Sequence, residues 1–277
     1  MEQKIKSKKM PLISVVIPTY HCERTIEKCL HSIQKQEYPN IEIIVVDSIN
    51  YTFPEKEKYE RTIREYARYY KDGPERSIQR NRGIHEARGE YILIIDQDMY
   101  LTPHVIEECY KRIDSNIALI IPEISIGVGF WTKCIALERY VSIYLEVGMN
   151  ECCRFFRKQG ALSVGLYDPA IVGVEDSDFH YKMMRKGAVG KITNHLYHDE
   201  GKTNFFERVK KKYYYSIAFR KYIKRYPGIA AGQFFPIKKA YIKHWDLLLK
   251  HPLLTAGCVL LRSGEVLAGF LGLLVRK

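Results

Sequence analysis

The chain has 277 residues and a mass of 32.5 kDa, enough for one large α/β domain with appendages or for two small domains, which excludes a wholly disordered tail protein. Hydrophobic residues make up 46% and charged residues 27%, and a mean hydropathy of -0.26 excludes a polytopic membrane protein. Lysine and arginine total 44 against 32 acidic residues, and the net +12 suits a polyanionic partner: nucleic acid, an anionic membrane surface or a phosphate-bearing substrate.

Residues 1–11 form a basic tail, and the short apolar run that follows lacks the length and cleavage pattern of a signal peptide. Residues 12–18 read as a buried strand, rich in β-branched side chains and ended by Pro18. A helix is expected over about 23–36, then strands over 41–47 and 91–96, each ending on an aspartate. Between these strands, 54–68 and 75–88 favour helix, the second stopping at Gly89. A helix near 103–113 and a strand over 117–121 follow, and weakly periodic residues 122–170 are expected to complete the sheet. Apolar runs without alternation, separated by helices, predict a mostly parallel sheet covered on both faces. The seven cysteines are an odd set without a CxxC pair, so reduced thiols are expected rather than a zinc knuckle or disulfide framework.

Between Lys202 and Lys243 lie twelve basic residues against Glu207 alone, a net +11, interleaved with aromatics such as Phe205, Tyr213 and Tyr222. This stripe fits a single-stranded nucleic-acid surface, a solvated helix face or a membrane-surface helix. The apolar residues 247–275 beside it favour the membrane. Arg262 and Glu265 interrupt that tail, so no run reaches the ~18 residues of a spanning helix. Two short helices turning around Ser263-Gly264 are expected, lying in a membrane interface or else packed on the main domain as a soluble hairpin.

In sheets of this kind ligands bind beyond the carboxyl ends of the strands, where Pro18-Thr19-Tyr20, Asp47 and Asp96-Gln97-Asp98 fall. Asp96 and Asp98 project to one side, and two carboxylates so placed favour a bridging hard cation.

Val15-Val-Ile-Pro-Thr-Tyr20, Ile44-Val-Val-Asp47, Gln79-Arg-Asn-Arg-Gly-Ile84, Ile95-Asp-Gln-Asp98 and Gly173-Val-Glu-Asp-Ser-Asp178 follow the order and spacing of family 2 glycosyltransferases, and the chain resembles that family over about residues 12–226. His21 stands where the family usually has Asn, and Gln97 is a less common middle residue of the acidic triplet. The resemblance implies a GT-A fold, Rossmann-like with helices on both faces, over 12–201. A basic aromatic helical region at 202–246 and an apolar membrane-associating hairpin at 247–277 would follow it. It implies an inverting, nucleotide-sugar-dependent enzyme using Mn2+ or Mg2+. Pro18, Thr19, Tyr20, Asp47, Arg80, Asn81 and Asp96 would contact the nucleotide sugar; Asp98, Asp96 and His198 would hold the metal, with His195 as a rival for the last place. Asp176 would be the general base, beside Glu175, with Asp178 supporting the helix or orienting Asp176.

The expected partners are a nucleotide-diphosphate sugar donor, a glycan or lipid-linked acceptor and an anionic membrane surface at the cytoplasmic face of the cell membrane, and not nucleic acid. A sugar hydroxyl needs a base where a largely ionised phosphate does not, so the acidic pair favours a hydroxyl acceptor over a polyprenyl phosphate. A nucleotidyltransferase is disfavoured, because no glycine-rich, cationic phosphate loop follows the first strand. A non-catalytic binder of sugar nucleotides stays open, and measuring transfer against mere binding separates it.

Overall fold

The computed structural model describes residues 10–50, 55–145, 152–228 and 239–274. Its strands are β1 (Ile13–Thr19), β2 (Ile41–Ser48), β3 (Arg68–Asp72), β4 (Tyr91–Ile94), β5 (Met99–Leu101), β6 (Ala118–Ile120), β7 (Glu123–Val128), β8 (Cys153–Arg157), β9 (Val189–Lys191) and β10 (Leu196–Lys202). Seven of them form one sheet in the order β3-β2-β1-β4-β8-β6-β9. Pairing is parallel except where β8 runs against both β4 and β6.

The expected strands at 12–18, 41–47, 91–96 and 117–121 are all present, within two residues at each end. All seven residues of β1 are buried: Ile13, Val15 and Ile17 enter the core on one face and Val16 enters it on the other. Strands buried on both faces show no polar alternation, which is why this one reads as a continuous apolar run. The helix expected over 54–68 overlaps β3 only at Arg68, and no element is expected over 69–72. That helix, α2 (Lys56–Tyr66), stops before Ala67, and Arg68–Asp72 pairs along β2 instead.

Helices cover both faces. α1 (Ile26–Gln34) buries Ile26, Cys29, Leu30 and Ile33, the spacing of one helical stripe, on the side of Val15. α3 (Arg76–Glu86) and α7 (Glu175–Met184) pack on the side of Val16, through Ile84, Phe179 and Met183. α3 approaches β1 so closely that a Cβ on Gly83 would stand 2.2 Å from Val16 Cγ1. A second sheet, in the order β5-β10-β7, sets His198 opposite Met99 and Ser125, just past the triplet Asp96-Gln97-Asp98. All seven cysteines are free thiols.

The basic segment begins as α8 (Phe205–Ala218), capped by Asn204, whose side chain accepts from the Phe206 and Glu207 amides. Residues 1–9, within the expected basic tail, lie outside the described residues, as do 229–238 of the stripe. The apolar tail departs from expectation: Pro252–Leu274 is one continuous 23-residue helix, not a hairpin. Gly264 does not turn the chain. It is a contact point, where a Cβ would lie 3.0 Å from Phe205 Cζ and 3.1 Å from Val209 Cγ2. Arg262 and Glu265, 2.5 Å apart across one helical turn, also pair outward with Glu138 and with Arg208 (2.8 Å), so their charges are met inside the protein without breaking the helix.

Gly83→Val should force α3 off β1 and cost about 1–3 kcal/mol as an overpacked contact, a loss that thermal denaturation would register as a fall in Tm.

Candidate active site

The carboxyl ends of β1, β2 and β4 open into a cleft of about 790 Å³ lined by Thr19, Ser48, Asp96, Asp98, Glu175 and His198, among others. Its organising group is Arg80 of α3, fully buried at 0% exposure. Nη2 donates to Asp96 Oδ1 at 2.9 Å, and Nη1 donates to Asp176 Oδ1 at 2.6 Å and lies 3.6 Å from Glu175 Oε1. The guanidinium also sits 5.2 Å from the Tyr167 ring centroid. Burial alone would lower the Arg80 pKa, but Asp176 and Asp96 raise it well above the usual value, so the cation is permanent. The side chain expected to meet a diphosphate thus joins the strand-end triplet to the start of α7.

Asp96 is held on two sides, by Arg80 and by Arg154 of β8, whose Nη1 is 3.7 Å from Asp96 Oδ2. Burial would raise the Asp96 pKa; Arg80, Arg154 and Arg76 overcome this and hold the carboxyl well below the usual range. Arg154 continues to Glu123 at 2.6 Å, and Glu123 accepts from Arg139 at 2.7 Å. Arg139 reaches Glu200 at 2.5 Å. His198 stands between these acids, with Nε2 3.5 Å from Asp98 Oδ1 and Nδ1 3.4 Å from Glu123 Oε2. Burial by itself would lower the His198 pKa; Asp98 and Glu123 outweigh it and push it up to about 10.

At the start of α7 the two acids differ. Glu175 is buried and paired with Arg76 at 2.9 Å, whereas the Asp176 side chain is 30% exposed. Asp176 is therefore the one open to a substrate, although it stands beside the cleft's lining and Glu175 within it. Asp178 is fully buried and accepts from Arg225 at 2.9 Å and Tyr226 at 3.0 Å, which ties α7 to residues 225–226. A Cβ on Gly173, at φ 83°, would lie 2.8 Å from Tyr215 Cγ, so only glycine lets α8 close over the start of α7.

Other expected site residues are placed as follows. Pro18, Thr19 and Tyr20 line the cleft, and Gln97 clasps the Tyr20 peptide, its amide oxygen accepting from Tyr20 N at 2.6 Å and its nitrogen donating to Tyr20 O at 2.7 Å. The unusual middle residue of the triplet thus fixes the loop after β1. Asp47 is buried, with Oδ1 accepting from Thr19 at 2.8 Å and Oδ2 from Tyr69 at 2.9 Å, so its oxygens are engaged within the protein. Asn81 is turned away from the cleft; its side-chain amide makes paired hydrogen bonds with the backbone of Tyr167. His195 also points elsewhere, its ring against Tyr144 and Tyr197, which leaves His198 as the histidine beside Asp98.

A divalent cation fits part of the expected donor set. Asp98 Oδ1 is buried without a hydrogen-bond partner beside the His198 ring, and a carboxylate with an imidazole suits Mn2+ or Mg2+. Asp96 is instead committed to two arginines. Among the described residues, the group of three ligand atoms within 4.8 Å of one another is Glu37, His104 and Glu107, largely exposed and outside this cleft.

Arg154, Glu123, Arg139 and Arg76 lie outside the motifs named from the sequence. The available signal was an arginine set within the apolar stretch Cys153-Arg154-Phe155-Phe156, since an ionic group there needs a buried partner.

The model of the family described as Glycosyl transferase family 2 matches residues 14–161, more than half of the chain. Glycosyltransferase GlyG of Streptococcus pneumoniae is 33% identical over 118 residues, which is 40% of this chain and 38% of that protein. The poly(ribitol-phosphate) beta-N-acetylglucosaminyltransferase TarS of Staphylococcus aureus is 31% identical over 114 residues, or 39% of this chain and 20% of that one. The matches span only 33% to 39% of the first of these curated relatives. Among solved structures, a mannosyltransferase from Pyrobaculum calidifontis in complex with GDP-Man and Mn2+ superposes with a TM-score of 0.62 at 16% identity, covering 96% of this chain and 88% of that one. TarS residues 1–349 in complex with UDP give 0.54 at 16% identity, covering 95% and 90%. At such identities the structural likeness speaks for the fold, and the family match speaks for descent.

Arg80→Met should leave the carboxylates of Asp96 and Asp176 without their shared cation and cost about 3–5 kcal/mol. Urea denaturation reads this directly, and a midpoint equal to the parent's would show that the buried guanidinium is not what holds the site together.

Proposed function

Since this chain belongs to glycosyl transferase family 2 and carries the GT-A fold, we propose that it moves a sugar from a nucleoside-diphosphate sugar to an acceptor hydroxyl with inversion at the anomeric carbon. The observation that carries this reading is the single buried guanidinium of Arg80 shared by Asp96 at the strand ends and Asp176 at the start of α7. It sets the donor side of the cleft and the general base at a fixed separation. The acceptor oxygen attacks the anomeric carbon, its proton passes to the Asp176 carboxylate, and the bond from that carbon to the diphosphate oxygen breaks to release the nucleoside diphosphate. Tyr20, held by Gln97 and half exposed, offers its ring to the nucleotide base.

Neighbours solved with UDP or with GDP-Man and Mn2+ support a nucleotide donor and a divalent ion. Asp98 and His198 would hold that ion, which when bound would neutralise charge on the departing diphosphate. Arg208, Lys211 and Lys212 of α8 line the same cleft and add positive charge beside it. They favour an acceptor that carries phosphate, a lipid-linked glycan above all, with direct transfer to a polyprenyl phosphate as the second reading. Such an acceptor places the enzyme at the cytoplasmic face of the cell membrane, held there through the apolar helix and the basic segment.

A thermal-shift panel of nucleotide sugars with Mn2+ or Mg2+ identifies the donor, because a ligand that binds only the native state raises Tm. With that donor, Asp176→Asn should cut transfer by about two to four orders of magnitude while the donor-induced shift stays near that of the parent. Turnover near the parent's would overturn the assignment of the base. Asp98→Asn should weaken Mn2+ binding, measured by titration calorimetry, by at least about tenfold.

A further inference from the structure

The 23-residue helix Pro252–Leu274 has its large and small residues on the faces opposite to those of a helix built into a soluble core. Its buried face is made of Gly257, Cys258, Leu261, Glu265, Ala268, Gly269 and Gly272, mostly small. A Cβ on Gly257 would stand 2.5 Å from Cys134 Sγ, and one on Gly272 2.6 Å from Tyr213 O, so α5 (Phe130–Arg139) and α8 lie directly on its backbone. Its charged residues, Arg262 and Glu265, turn inward to Glu138 and Arg208. Outward go Leu253 (77% exposed), Leu260, Leu267 (61%), Phe270 and Leu274. Separations of seven, seven, three and four residues put these on one helix face, with Val259, Val266 and Leu271 exposed beside them. Ile242, Trp245 and Leu249 are exposed in the residues just before it.

We propose that this stripe seats the enzyme on an anionic bilayer, with the helix lying in the plane of the interface rather than crossing it. The proposal sharpens the membrane placement above and is independent of the glycosyl transfer. A helix that puts its glycines toward protein and its leucines toward the outside is solvated correctly only where the outside is hydrocarbon. The flanks carry the matching electrostatics: Lys210, Lys221, Lys243 and Lys250 are exposed along α8 and in the helices before the stripe, with Phe206 and Tyr214 exposed among them. Lysines interleaved with aromatics suit anionic head groups and the interfacial layer. A second copy of the chain fits less well, because a twofold contact through this stripe would set like-charged flanks against each other.

The in-plane orientation follows from the docking. α8 runs beside the helix, with Phe205 and Val209 at Gly264 and Arg220 Nη2 donating to Leu273 O at 2.6 Å. A helix passing through the bilayer would carry the lysines of α8 into hydrocarbon, which is costly. Lying flat, it keeps them at the head groups. The helix also contributes Arg262 and Glu265, on its inward face, to the lining of the cleft, so one helix separates the cleft from the seated surface.

Flotation of the full chain with phosphatidylcholine vesicles, with and without phosphatidylglycerol, tests the seat without donor or acceptor. Most of the protein should float with the anionic vesicles, and Lys210→Glu with Lys221→Glu and Lys243→Glu should reduce the bound fraction by about tenfold. The triple variant Leu260→Glu, Leu267→Glu, Phe270→Glu, all outward positions, should abolish flotation while melting like the parent. Flotation unchanged by it, or a parent that stays in the aqueous fraction and elutes as a dimer, overturns the proposal. Leu253→Trp, Leu260→Trp and Leu274→Trp, each made with Trp131→Phe and Trp245→Phe so that one indole remains, report depth through quenching by lipids brominated at different chain positions. Equal quenching, strongest from the shallowest bromine, is expected at all three; quenching at Leu260 strongest from the deepest bromine, with the ends unaffected, would mean that the helix crosses.

Discussion

The guanidinium of Arg80 is the contact on which the site depends. It has no access to water and is paired with acids from two elements far apart in the chain, Asp96 after β4 and Asp176 in α7, while the Tyr167 ring covers it. A buried cation of this kind is tolerable only if its acidic neighbours are in place, and Asp96, the more enclosed of the two, would be left strained without it. The geometry of the cleft is thereby tied to the integrity of the fold. α3 can deliver Arg80 to that position because Gly83, one turn later, lets the helix rest on Val16 without an intervening side chain.

From Arg80 the pairing continues outward with alternating sign. Asp96 meets Arg154, Arg154 meets Glu123, Glu123 meets Arg139, and Arg139 meets Glu200. Arg208 lies between Glu200, at 3.7 Å, and Glu265 of the apolar helix, at 2.8 Å. Such a series explains how a cleft crowded with carboxylates exists in a neutral-to-basic protein: most of its acids are matched by arginines inside the domain. The surplus that makes the chain +12 is concentrated in residues 202–243, where nine lysines and three arginines face one glutamate. Interior arginines and surface lysines divide along the lines of their chemistry, the planar fork serving fixed pairs and the compact ammonium staying hydrated.

Much of this was legible from the linear chain. β1, β2 and β4 announced themselves because a strand buried on both faces leaves no choice but an apolar run, and α1 did so through the spacing of Ile26, Cys29, Leu30 and Ile33. β3 was hidden, because Arg68-Tyr-Tyr-Lys-Asp72 at a sheet edge carries no such run and follows a helix-favouring stretch without a break. β8 falls in the stretch 122–170 expected to complete the sheet, but its antiparallel place between β4 and β6 was not legible, because it depends on partners more than 30 positions away. Gly264 misled because a glycine that turns a chain and a glycine that admits a neighbouring helix look identical in sequence.

What the sequence determined by itself was the set of chemical groups and the order in which strands present them: the triplet Asp96-Gln97-Asp98, the pair Glu175-Asp176, and the concentration of positive charge after residue 201. These follow from local periodicity and composition, which need no knowledge of distant partners. Only the tertiary structure decided what each group faces. It made Arg80 a buried clamp, sent Asn81 to the Tyr167 backbone, committed Asp47 to Thr19 and Tyr69, set His198 rather than His195 beside Asp98, and put the leucines of the apolar helix outside and its glycines inside. The reason is the same in each case: the ionisation, solvation and reach of a side chain are set by neighbours that arrive from elsewhere in the chain, and only folding brings them together.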